Sequence, residues 1–386
     1  MSELLDFYST NSLSWEQLEY GEKAMMNLHY GLIHVGLPTM VDLRRDKLPN
    51  VKEGNMPKNF ELCKEGDVAF ADASEDTNEV AKVIELFNLD NKDIVCGLHT
   101  IHGRDNKNKT IVGFKGYAFS SSAFHNQIRR IAQGTKIYSI STKNFSECYV
   151  GIPSKAEQTK IATLLRLIDE RIATQNKIIE DLKKLKSAIS QHLFSQEPNV
   201  WNRLDNLFVK GKAGGTPIST NKEYYNGNIP FLSINDITRQ GKYIWLTEKH
   251  ISLNGLENSS AWIVPKHSLI MSMYASVGLV TINQVPIATS QAMFSMLLRD
   301  KSLLDYLYYY LSYFKYRHIH KYLETGTQSN INADIVSGIM IPDYGYRHNM
   351  QIASMLQSID MKIDNESSIL ERYSQQKNDL LSSLFI

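Results

Sequence analysis

Loops in the second half of the chain combine glycine, amide, hydroxyl, basic and aromatic side chains in a way that suits contact with nucleic acid. Glycine lets a backbone approach a ligand closely, while lysine, serine and threonine donate hydrogen bonds to phosphates. Asparagine, glutamine and arginine carry the paired donors and acceptors that read base edges. The candidate DNA contacts in these loops are Lys212, Gly214, Gly215, Thr216, Tyr225, Asn235, Arg239, Arg317, Thr327 and Gln328.

The first half of the chain offers a second set of basic and hydroxyl side chains with the same chemistry. Each of these residues, taken alone, also fits an ordinary polar surface, because loops are polar in most proteins. The candidate DNA contacts of this half are Arg44, Arg45, Arg104, Lys107, Ser121, Arg129, Arg130 and Lys136.

Motifs that would indicate catalysis are missing from the sequence. Neither a phosphate-binding Gly-x-x-x-x-Gly-Lys-Ser/Thr loop nor a Gly-x-Gly-x-x-Gly turn is present, and neither is the Asn/Asp-Pro-Pro-Tyr/Phe tetrapeptide of amino-methylating DNA enzymes. His99 and His102 lack cysteine or aspartate partners at metal-binding spacing. The carboxylates between 67 and 76 fit either a nuclease cluster or a solvated turn. We therefore expect no catalytic, cofactor-binding or metal-binding residue in this chain.

Composition and charge exclude several classes of protein, including disulfide-rich and membrane-spanning ones. The 386 residues carry 42 basic and 41 acidic side chains, so net charge alone points to no partner. By segment the net charge is −3 for 1–151, +2 for 152–197, +4 for 198–340 and −2 for 341–386. The cysteines at 63, 96 and 148 are too widely spaced to indicate a disulfide framework or a metal site. Without a signal peptide or a long apolar run, the sequence predicts a soluble, cytoplasmic protein with no membrane contact.

The elements that must position these loops are organised around a stretch that occurs twice. Residues 152–194 and 341–385 match at a constant offset of 191 after a short insertion. The offset aligns Ile161 with Ile352, Leu165 with Leu356, Asp169 with Asp360, Lys186 with Lys377 and Phe194 with Phe385. A repeat of about half the chain length predicts two homologous halves.

Both copies are predicted to be long helices, because their apolar residues recur every three or four positions. The first should begin after a capping box formed by Ser154 and Glu157. Such an apolar stripe needs a partner, and we expect the two copies to pair within the chain in preference to forming a homodimeric coiled coil. The predicted seam contains Ile161, Leu165, Ile168, Ile172, Ile179, Leu182, Ile189, Ile352, Leu356, Ile359, Ile363, Leu370 and Leu380.

The predicted fold class is α+β, with two α/β domains separated by a long antiparallel two-helix coiled coil and related by an internal pseudo-two-fold repeat. The predicted segments are a tail (1–14), a first domain (15–151), a helix (152–196), a second domain (197–340) and a second helix (341–386).

Shorter patterns predict details of the two domains. The segments Tyr30–Val35 and Thr110–Gly113 read as strands, and 75–87 and 122–133 read as helical. Repeat matches align Gly66–Phe70 with His267–Met271, Ile94–His99 with Pro286–Gln291, and Trp15–Leu18 with Trp201–Leu204.

The helical repeat resembles a known family. Ile161–Ile172, preceded by Gln158, is similar to the central conserved region of type I restriction–modification specificity subunits, and 369–385 resembles their C-terminal conserved region. The Gly-Gly-Thr-Pro motif at 214–217 and the segment Ala288–Gln291 resemble elements of their target-recognition domains, which adds Ser290 and Gln291 to the candidate DNA contacts. The first domain lacks the Gly-Gly-Thr-Pro motif, and the second helical copy lacks a counterpart of Glu157 and Gln158.

The resemblance implies a DNA-binding subunit that serves in defence against foreign DNA. Each target-recognition domain would read one half of a bipartite, asymmetric site in double-stranded DNA, and the coiled coil would set the spacer and dock two adenine-methylating modification subunits. Restriction subunits would join through that assembly. S-adenosylmethionine, ATP and magnesium are then implied for the partner subunits and none for this chain. The alternatives are a stand-alone DNA methyltransferase or nuclease with an unrecognised site, and a purely structural coiled-coil adaptor.

Overall fold

The protein, represented by a computed structural model, is described over residues 1–21, 25–322 and 330–385. Its contacts divide it into two units, of which unit 1 is Met1–Lys177 with Ser367–Ile386 and unit 2 is Ile178–Glu366. The division falls within both long helices, so each unit contains one segment of each helix. None of the helices among the described residues combines the length and hydropathy that a membrane crossing requires.

Unit 1 contains short strands, short helices and the first part of a long helix. Its elements are β1 (Asp6–Tyr8), β2 (Leu18–Glu19), β3 (Met25–Leu28), α1 (Tyr30–His34), β4 (Met40–Asp42), β5 (Asn50–Val51), β6 (Val68–Ala71), β7 (Ala73–Ser74), β8 (Val83–Asn88), β9 (Asp93–Cys96), β10 (Thr100–Arg104), α2 (Lys115–Phe119), α3 (Ser122–Ile131), β11 (Tyr138–Ser139), α4 (Thr142–Phe145) and α5 (Lys155–Phe194), which continues into unit 2.

Two sheets carry the core of unit 1. One has the strand order β1-β10-β6-β8-β4 and the other β2-β5-β3-β9. All four residues of β6 are buried, as expected for a central strand covered on both faces. Leu28, Ile84 and Cys96 belong to one buried cluster, while Phe70, Phe119 and Phe145 belong to another.

Unit 2 repeats this arrangement. Its elements are β12 (Val200–Arg203), β13 (Phe208–Ala213), β14 (Ile229–Leu232), α6 (Ile234–Gln240), β15 (Tyr243–Ile244), β16 (Lys249–Ile251), α7 (Leu253–Glu257), β17 (Ile263–Val264), β18 (Leu269–Ser272), β19 (Val280–Asn283), β20 (Ile287–Thr289), β21 (Met293–Leu298), α8 (Leu304–Arg317), α9 (Ala333–Ser337), β22 (Met340–Asp343) and α10 (Tyr346–Ser383), which continues into unit 1.

The larger sheets of the two units correspond strand for strand, and the second sheets share one parallel pair, β3-β9 in unit 1 and β14-β20 in unit 2. The larger sheet of unit 2 has the order β13-β21-β18-β19-β15, and its second sheet has the order β16-β14-β20-β17. In both larger sheets the last strand pairs parallel to its neighbour, while the other pairs are antiparallel. The two halves predicted from the helical repeat therefore share one domain fold.

The predicted N-terminal tail is wrong. Strand β1 is an edge strand of the large sheet of unit 1, where Asp6 lies opposite Arg104. Leu4 and Leu5 are buried, and the terminal ammonium of Met1 donates a 2.7 Å hydrogen bond to the carbonyl oxygen of Cys148. Residues 1–14 thus occupy the place that β13 and the loop after it take in unit 2.

Three local predictions for unit 1 also fail. Residues 30–34 form helix α1 and not a strand, because the His29 ring accepts a 3.1 Å hydrogen bond from the Gly31 amide and caps the helix. The segment 75–87 forms turns and then β8, which pairs with β6. Residues 110–113 form no strand, since the Asp105 carboxylate accepts from the amide and hydroxyl of Thr110 and folds the segment into a turn.

Of the three predicted repeat matches between the domains, one is correct, one is a residue out of register and one is wrong. Strands β6 and β18 do correspond, as predicted. The match of 94–99 to 286–291 is one residue out of register, because Cys96 and Thr289 are the residues that end equivalent parallel pairs. The match of Trp15 to Trp201 is wrong, since Trp201 lies in β12 and pairs with β22.

Antiparallel pairing of the long helices is visible inside each unit. In unit 1, Leu165 near the start of α5 shares a buried cluster with Leu381 near the end of α10. In unit 2, Phe194 at the end of α5 shares a cluster with Ile352 and Leu356 near the start of α10. All thirteen predicted seam residues are buried or half-buried. The helices themselves are slightly shorter than the predicted segments 152–196 and 341–386.

A tyrosine–aspartate–lysine cluster joins domain and helices in each unit. In unit 1 the Tyr117 hydroxyl donates a 2.9 Å hydrogen bond to Asp169, which also forms a 2.6 Å ion pair with Lys377. In unit 2, Tyr309 donates to Asp360 at 2.9 Å, and Asp360 pairs with Lys186 at 2.5 Å. Burial, together with the neighbouring carboxylate, raises the pKa of both tyrosines, so they remain donors at neutral pH.

The starts of the two long helices are fixed by equivalent buried amides. The Ser154 hydroxyl accepts from the Glu157 amide, which is half of the predicted capping box. Gln158 is buried and bonds to the backbone of Lys109 and Ile111. At the equivalent position in the second copy, Asn349 is buried and bonds to the Tyr344 amide and the Asp343 carboxylate. The second copy therefore replaces Gln158 with a shorter amide.

Candidate nucleic-acid interface

In unit 2 the carboxyl ends of two parallel strands bring several polar side chains to one edge. Leu232 of β14 lies beside Thr289 of β20. Parallel neighbours end at the same edge of a sheet, so the residues that follow each strand meet there. Asn235, in the first turn of α6, and Gln291 are both exposed at this edge.

The Gly-Gly-Thr-Pro loop lies directly against the same edge. The Gly215 amide donates a 2.9 Å hydrogen bond to the carbonyl oxygen of Thr289. A Cβ atom at Gly214 would lie 1.9 Å from that oxygen, and one at Gly215 would lie 2.2 Å from the Ser260 hydroxyl. Only glycine fits either position, so the two glycines position the loop and do not contact a ligand through side chains.

Hydrogen bonds fix the rest of this loop. The Thr216 hydroxyl donates to the side-chain oxygen of Gln291, which orients both exposed side chains. The Tyr225 hydroxyl donates a 2.6 Å hydrogen bond to the Pro217 carbonyl oxygen. Ser290 is half-buried, and its hydroxyl accepts from the Ala292 amide. The result is a rigid edge from which Thr216 and Gln291 project.

Basic side chains flank this edge. Lys212 is exposed on β13, immediately before the glycine loop. Arg239 is exposed on α6 four residues after Asn235, so the two lie on one face of the helix. The amide side chains of Asn235 and Gln291 can read base edges, and the neighbouring cations can pair with phosphates.

Unit 1 builds the same edge from different residues. Leu28 of β3 lies beside Cys96 of β9, in the same parallel arrangement. The Asn11 amide donates a 3.0 Å hydrogen bond to the Cys96 carbonyl oxygen, which is the contact that Gly215 makes in unit 2. The Asn11 side chain adds hydrogen bonds to the same carbonyl, to the Leu13 amide and to Asn27. The missing Gly-Gly-Thr-Pro motif is thus replaced by an asparagine turn.

An aromatic and imidazole group covers this edge in unit 1. The rings of Trp15 and His29 are 4.5 Å apart, those of His29 and Tyr30 are 4.7 Å apart, and those of Tyr30 and His99 are 5.2 Å apart. Burial and the nearby His99 lower the pKa of His29, which keeps its ring a neutral acceptor for the helix cap. Trp15 and His99 are exposed. Sequence reasoning missed this group, because its members share neither spacing nor charge.

These paired edges accompany a clear family match. The sequence profile described as the type I restriction modification DNA specificity domain matches residues 46–184 and 198–372, which is most of the chain and includes part of each half. The chain belongs to this family. Among similar specificity subunits, MjaIX of Methanocaldococcus jannaschii is 26% identical over 179 residues, which are 45% of this chain and 40% of that protein. HindI of Haemophilus influenzae is 33% identical over 133 residues, which are 33% of this chain and 28% of that protein.

The matched segments therefore span less than half of either relative. Solved structures support the fold of this specificity-domain protein across its whole length. The S subunit from M. genitalium has a TM-score of 0.59 at 16% identity, covering 100% of this chain and 94% of that one. A chain from a study of the assembly and conformational transition of a type I R-M system has a TM-score of 0.60 at 15% identity, covering 92% and 90%.

Most predicted contacts in the first half of this specificity-domain chain lie outside the Asn11 edge. Arg44 forms a 2.5 Å ion pair with Asp42 and is still exposed, as is Arg45 beside it. Both line a cleft of about 600 Å³ that also includes Lys47 and Lys92. This cleft has the charge for a phosphate contact.

The other cations of unit 1 that were predicted to contact DNA are scattered. Lys107 donates a 3.1 Å hydrogen bond to the carbonyl oxygen of Glu3. Arg129 and Arg130 lie in the last turn of α3, where cations stabilise the helix dipole. Lys136 is exposed in the segment between α3 and β11.

Two predicted DNA contacts of unit 1 are wrong. Arg104 is buried, and its guanidinium donates to Asp67, to Glu61 and to the carbonyl oxygen of Leu62. Ser121 is buried and caps α3 through the Phe124 amide. Both side chains are used within the fold and cannot reach DNA.

Three predicted DNA contacts of the second half and the carboxylates considered as a nuclease cluster remain. Arg317 donates to the Gln191 side chain on α5 and lies away from the glycine loop in sequence and contacts. Thr327 and Gln328 lie outside the described residues. The carboxylates considered as a nuclease cluster are not equivalent, because Asp67 is buried while Glu75 and Asp76 are exposed.

Gly214→Ala tests whether close packing builds the glycine loop. The added Cβ overlaps the Thr289 backbone, so we expect unit 2 to lose about 2–4 kcal/mol of unfolding free energy and the chain to lose DNA affinity. Denaturant unfolding followed by tryptophan fluorescence would measure the loss. Gly21→Ala is the control, since the nearest atom to its new Cβ is 3.9 Å away. Equal stability of the two variants would contradict the packing argument.

Proposed function

We propose that this chain is the DNA sequence-specificity subunit of a type I restriction–modification system, and that each unit reads one half of a bipartite, asymmetric target. The supporting observation is the duplicated edge. Two equivalent strand ends hold Thr216, Asn235 and Gln291 in unit 2, but Trp15 and His99 in unit 1. One scaffold with different side chains suits the recognition of two different base sequences.

The proposed division of labour follows from side-chain chemistry. Gln291 and Asn235 can form paired hydrogen bonds with a base edge, adenine being the usual match for an amide. Lys212 and Arg239 would contact phosphates beside that base. In unit 1, His99 offers a ring nitrogen and Trp15 a flat apolar face, so this unit would read its half-site through a different pattern.

We also propose that catalysis belongs to partner subunits and that two modification subunits dock on the helices. Leu164 and Met355 are equivalent by the 191-residue offset, and their side chains are 43% and 49% exposed. Each lies one residue before a fully buried leucine of the seam. A duplicated apolar position on the outer helix face suits two copies of one partner. Those partners would bring S-adenosylmethionine, and the restriction subunits would bring ATP and magnesium.

The helices are further proposed to set the number of unspecified base pairs between the half-sites. Helix α5 is 40 residues long, which gives it a length of about 60 Å. This length is fixed by intrahelical hydrogen bonds, so a pair of such helices is suited to hold a constant spacing.

Single substitutions at the two edges test the proposal. We expect Gln291→Ala to relax or abolish recognition of one half-site, and His99→Ala to do the same for the other half. Each loss should be about 1–3 kcal/mol of discrimination, which is the usual value of a good base contact. Methylome sequencing of cells that express each variant with the cognate modification subunit would identify which half has changed.

Lys143→Ala is a matched control, because this exposed residue lies in α4 and is not among the candidate DNA contacts. Its methylome should equal that of the original protein. Loss of the same half-site in both edge variants would contradict independent reading. Methylation of DNA by the purified chain with S-adenosylmethionine, but without a partner subunit, would replace the proposal with a stand-alone methyltransferase.

A further inference from the structure

Three buried side chains from separate segments of unit 1 meet in its interior. The sulfur atoms of Cys63 and Cys96 are 3.6 Å apart. These two atoms and one ring nitrogen of His102 all lie within 4.8 Å of one another. The exposure of the three residues is 6%, 2% and 0%, so the group is closed to bulk solvent.

Strand pairing brings these residues together. Cys96 ends β9 and His102 lies in β10, the next strand along the chain. Cys63 reaches the group because its amide donates a 2.8 Å hydrogen bond to the Ile94 carbonyl oxygen, beside a bridge between Leu62 and Val95. Backbone hydrogen bonds, and not flexible side chains, therefore hold the two sulfur atoms side by side.

The hydrogen bonds of His102 leave one ring nitrogen without a hydrogen-bond partner among the described residues. Its Nε2 atom lies 2.7 Å from the Asp67 carboxylate, while its buried Nδ1 atom has no hydrogen-bond partner among the described residues. Asp67 is itself held by the Arg104 guanidinium at 2.9 Å and the Lys64 amide at 2.8 Å. A carboxylate that fixes the far nitrogen of a histidine is the usual support for a histidine that binds metal.

We propose that Cys63, Cys96 and His102 bind a thiolate-preferring metal ion, with zinc as the expected species. Two sulfur ligands on a tetrahedral zinc ion lie about 3.8 Å apart, given zinc–sulfur bonds of about 2.3 Å, and the observed separation is close to this. The Nδ1 atom of His102 supplies a third protein ligand.

Charge balance favours the same assignment. Each cysteine loses its thiol proton to solvent on binding, and His102 binds as the neutral imidazole. Two thiolates and one divalent cation sum to zero, so the complex places no net charge in the core. The unpaired Nδ1 atom, which costs free energy when buried without a partner, gains one.

The proposed site has a structural role. It would join β9, β10 and the segment before β6, directly behind the edge that carries Asn11 and His99. A disulfide is the competing arrangement, but the sulfur atoms are well beyond the bonded distance of about 2.05 Å.

Metal analysis of the full-length chain tests the site. Protein purified under reducing conditions, freed of metal with a chelator and reloaded with zinc chloride, should retain about one zinc ion per chain after gel filtration. Cys63→Ser and Cys96→Ser should retain almost none. Cys148→Ser is the matched control, because Cys148 is a third buried cysteine outside the group, and it should retain as much zinc as the unchanged protein.

Cobalt provides a test that does not depend on the variants being folded. Unchanged protein loaded with cobalt(II) should develop a thiolate-to-cobalt charge-transfer band, and zinc should displace it. The absence of that band, together with zinc retention no higher than in Cys63→Ser, would overturn the proposal. So would a mass two hydrogens lower after denaturation without reductant, since that result would identify a disulfide.

Discussion

A chimera in which residues 1–151 come from another member of the family is expected to fold and to change only one half of the DNA target. The same exchange begun at residue 15 is expected to lose about 3–5 kcal/mol of unfolding free energy, the usual cost of a core leucine replaced without repacking. The reason is that Leu4, Leu5 and β1 belong to the core and sheet of unit 1. Solubility and the denaturation midpoint would distinguish the two chimeras, and methylome sequencing would report the half-site.

The second junction, at 151, is the same in both chimeras and therefore serves as the internal control. The junction at residue 15 has a further consequence. It would combine the Asn11 turn of one parent with the Cys96 strand end of the other, although the two are joined by a hydrogen bond. Equal stability of both chimeras would mean that residues 1–14 are interchangeable between family members. A change in both half-sites would mean that the two units do not read independently.

Leu165→Asp is expected to have the second large effect. Leu165 is fully buried between α5, α10 and the domain of unit 1, and an aspartate there would lose the apolar contacts and bury a carboxylate without a partner. We expect unit 1 to lose about 5 kcal/mol or more, which is comparable to the whole stability of many domains. Circular dichroism during denaturant unfolding would measure the loss.

Leu164→Asp is the matched control for this prediction, because the neighbouring side chain is exposed. It should keep the unfolding midpoint of the unchanged protein but weaken co-purification with the modification subunit. The pair Leu356→Asp and Met355→Asp repeats the comparison in unit 2. A stable Leu165→Asp protein would show that the seam is not packed as described, while full co-purification of Leu164→Asp would remove the docking proposal.

The long helices could be predicted from the sequence because periodicity and repetition are local signals. The offset of 191 aligned Asp169 with Asp360 and Lys186 with Lys377, yet it did not reveal that the aspartate of one copy pairs with the lysine of the other. That pairing depends on how the two antiparallel helices are aligned along their length. A periodic pattern suggests that the helices pair, but it does not show which residues lie opposite each other.

The edges and the proposed metal site were harder to predict for a different reason. In unit 1 the side chain of Asn11 makes the turn for which unit 2 uses two glycines, so no motif marks the equivalence. Cys63, Cys96 and His102 come from separate segments, and their spacing along the chain resembles no metal-binding pattern. Conversely, Arg104 was predicted to be an exposed cation, but it is buried in an ion pair with Asp67.

The crossed ion pairs bear on how such a chain could have arisen. Each half supplies a tyrosine and an aspartate to its own unit and a lysine to the other unit. A half-length ancestor would have had an unmatched lysine and an unmatched aspartate, and a second copy of itself would have satisfied both. Gene duplication and fusion would then have joined two chains that were already partners, and later divergence of the two domains would have given them different residues at equivalent edges.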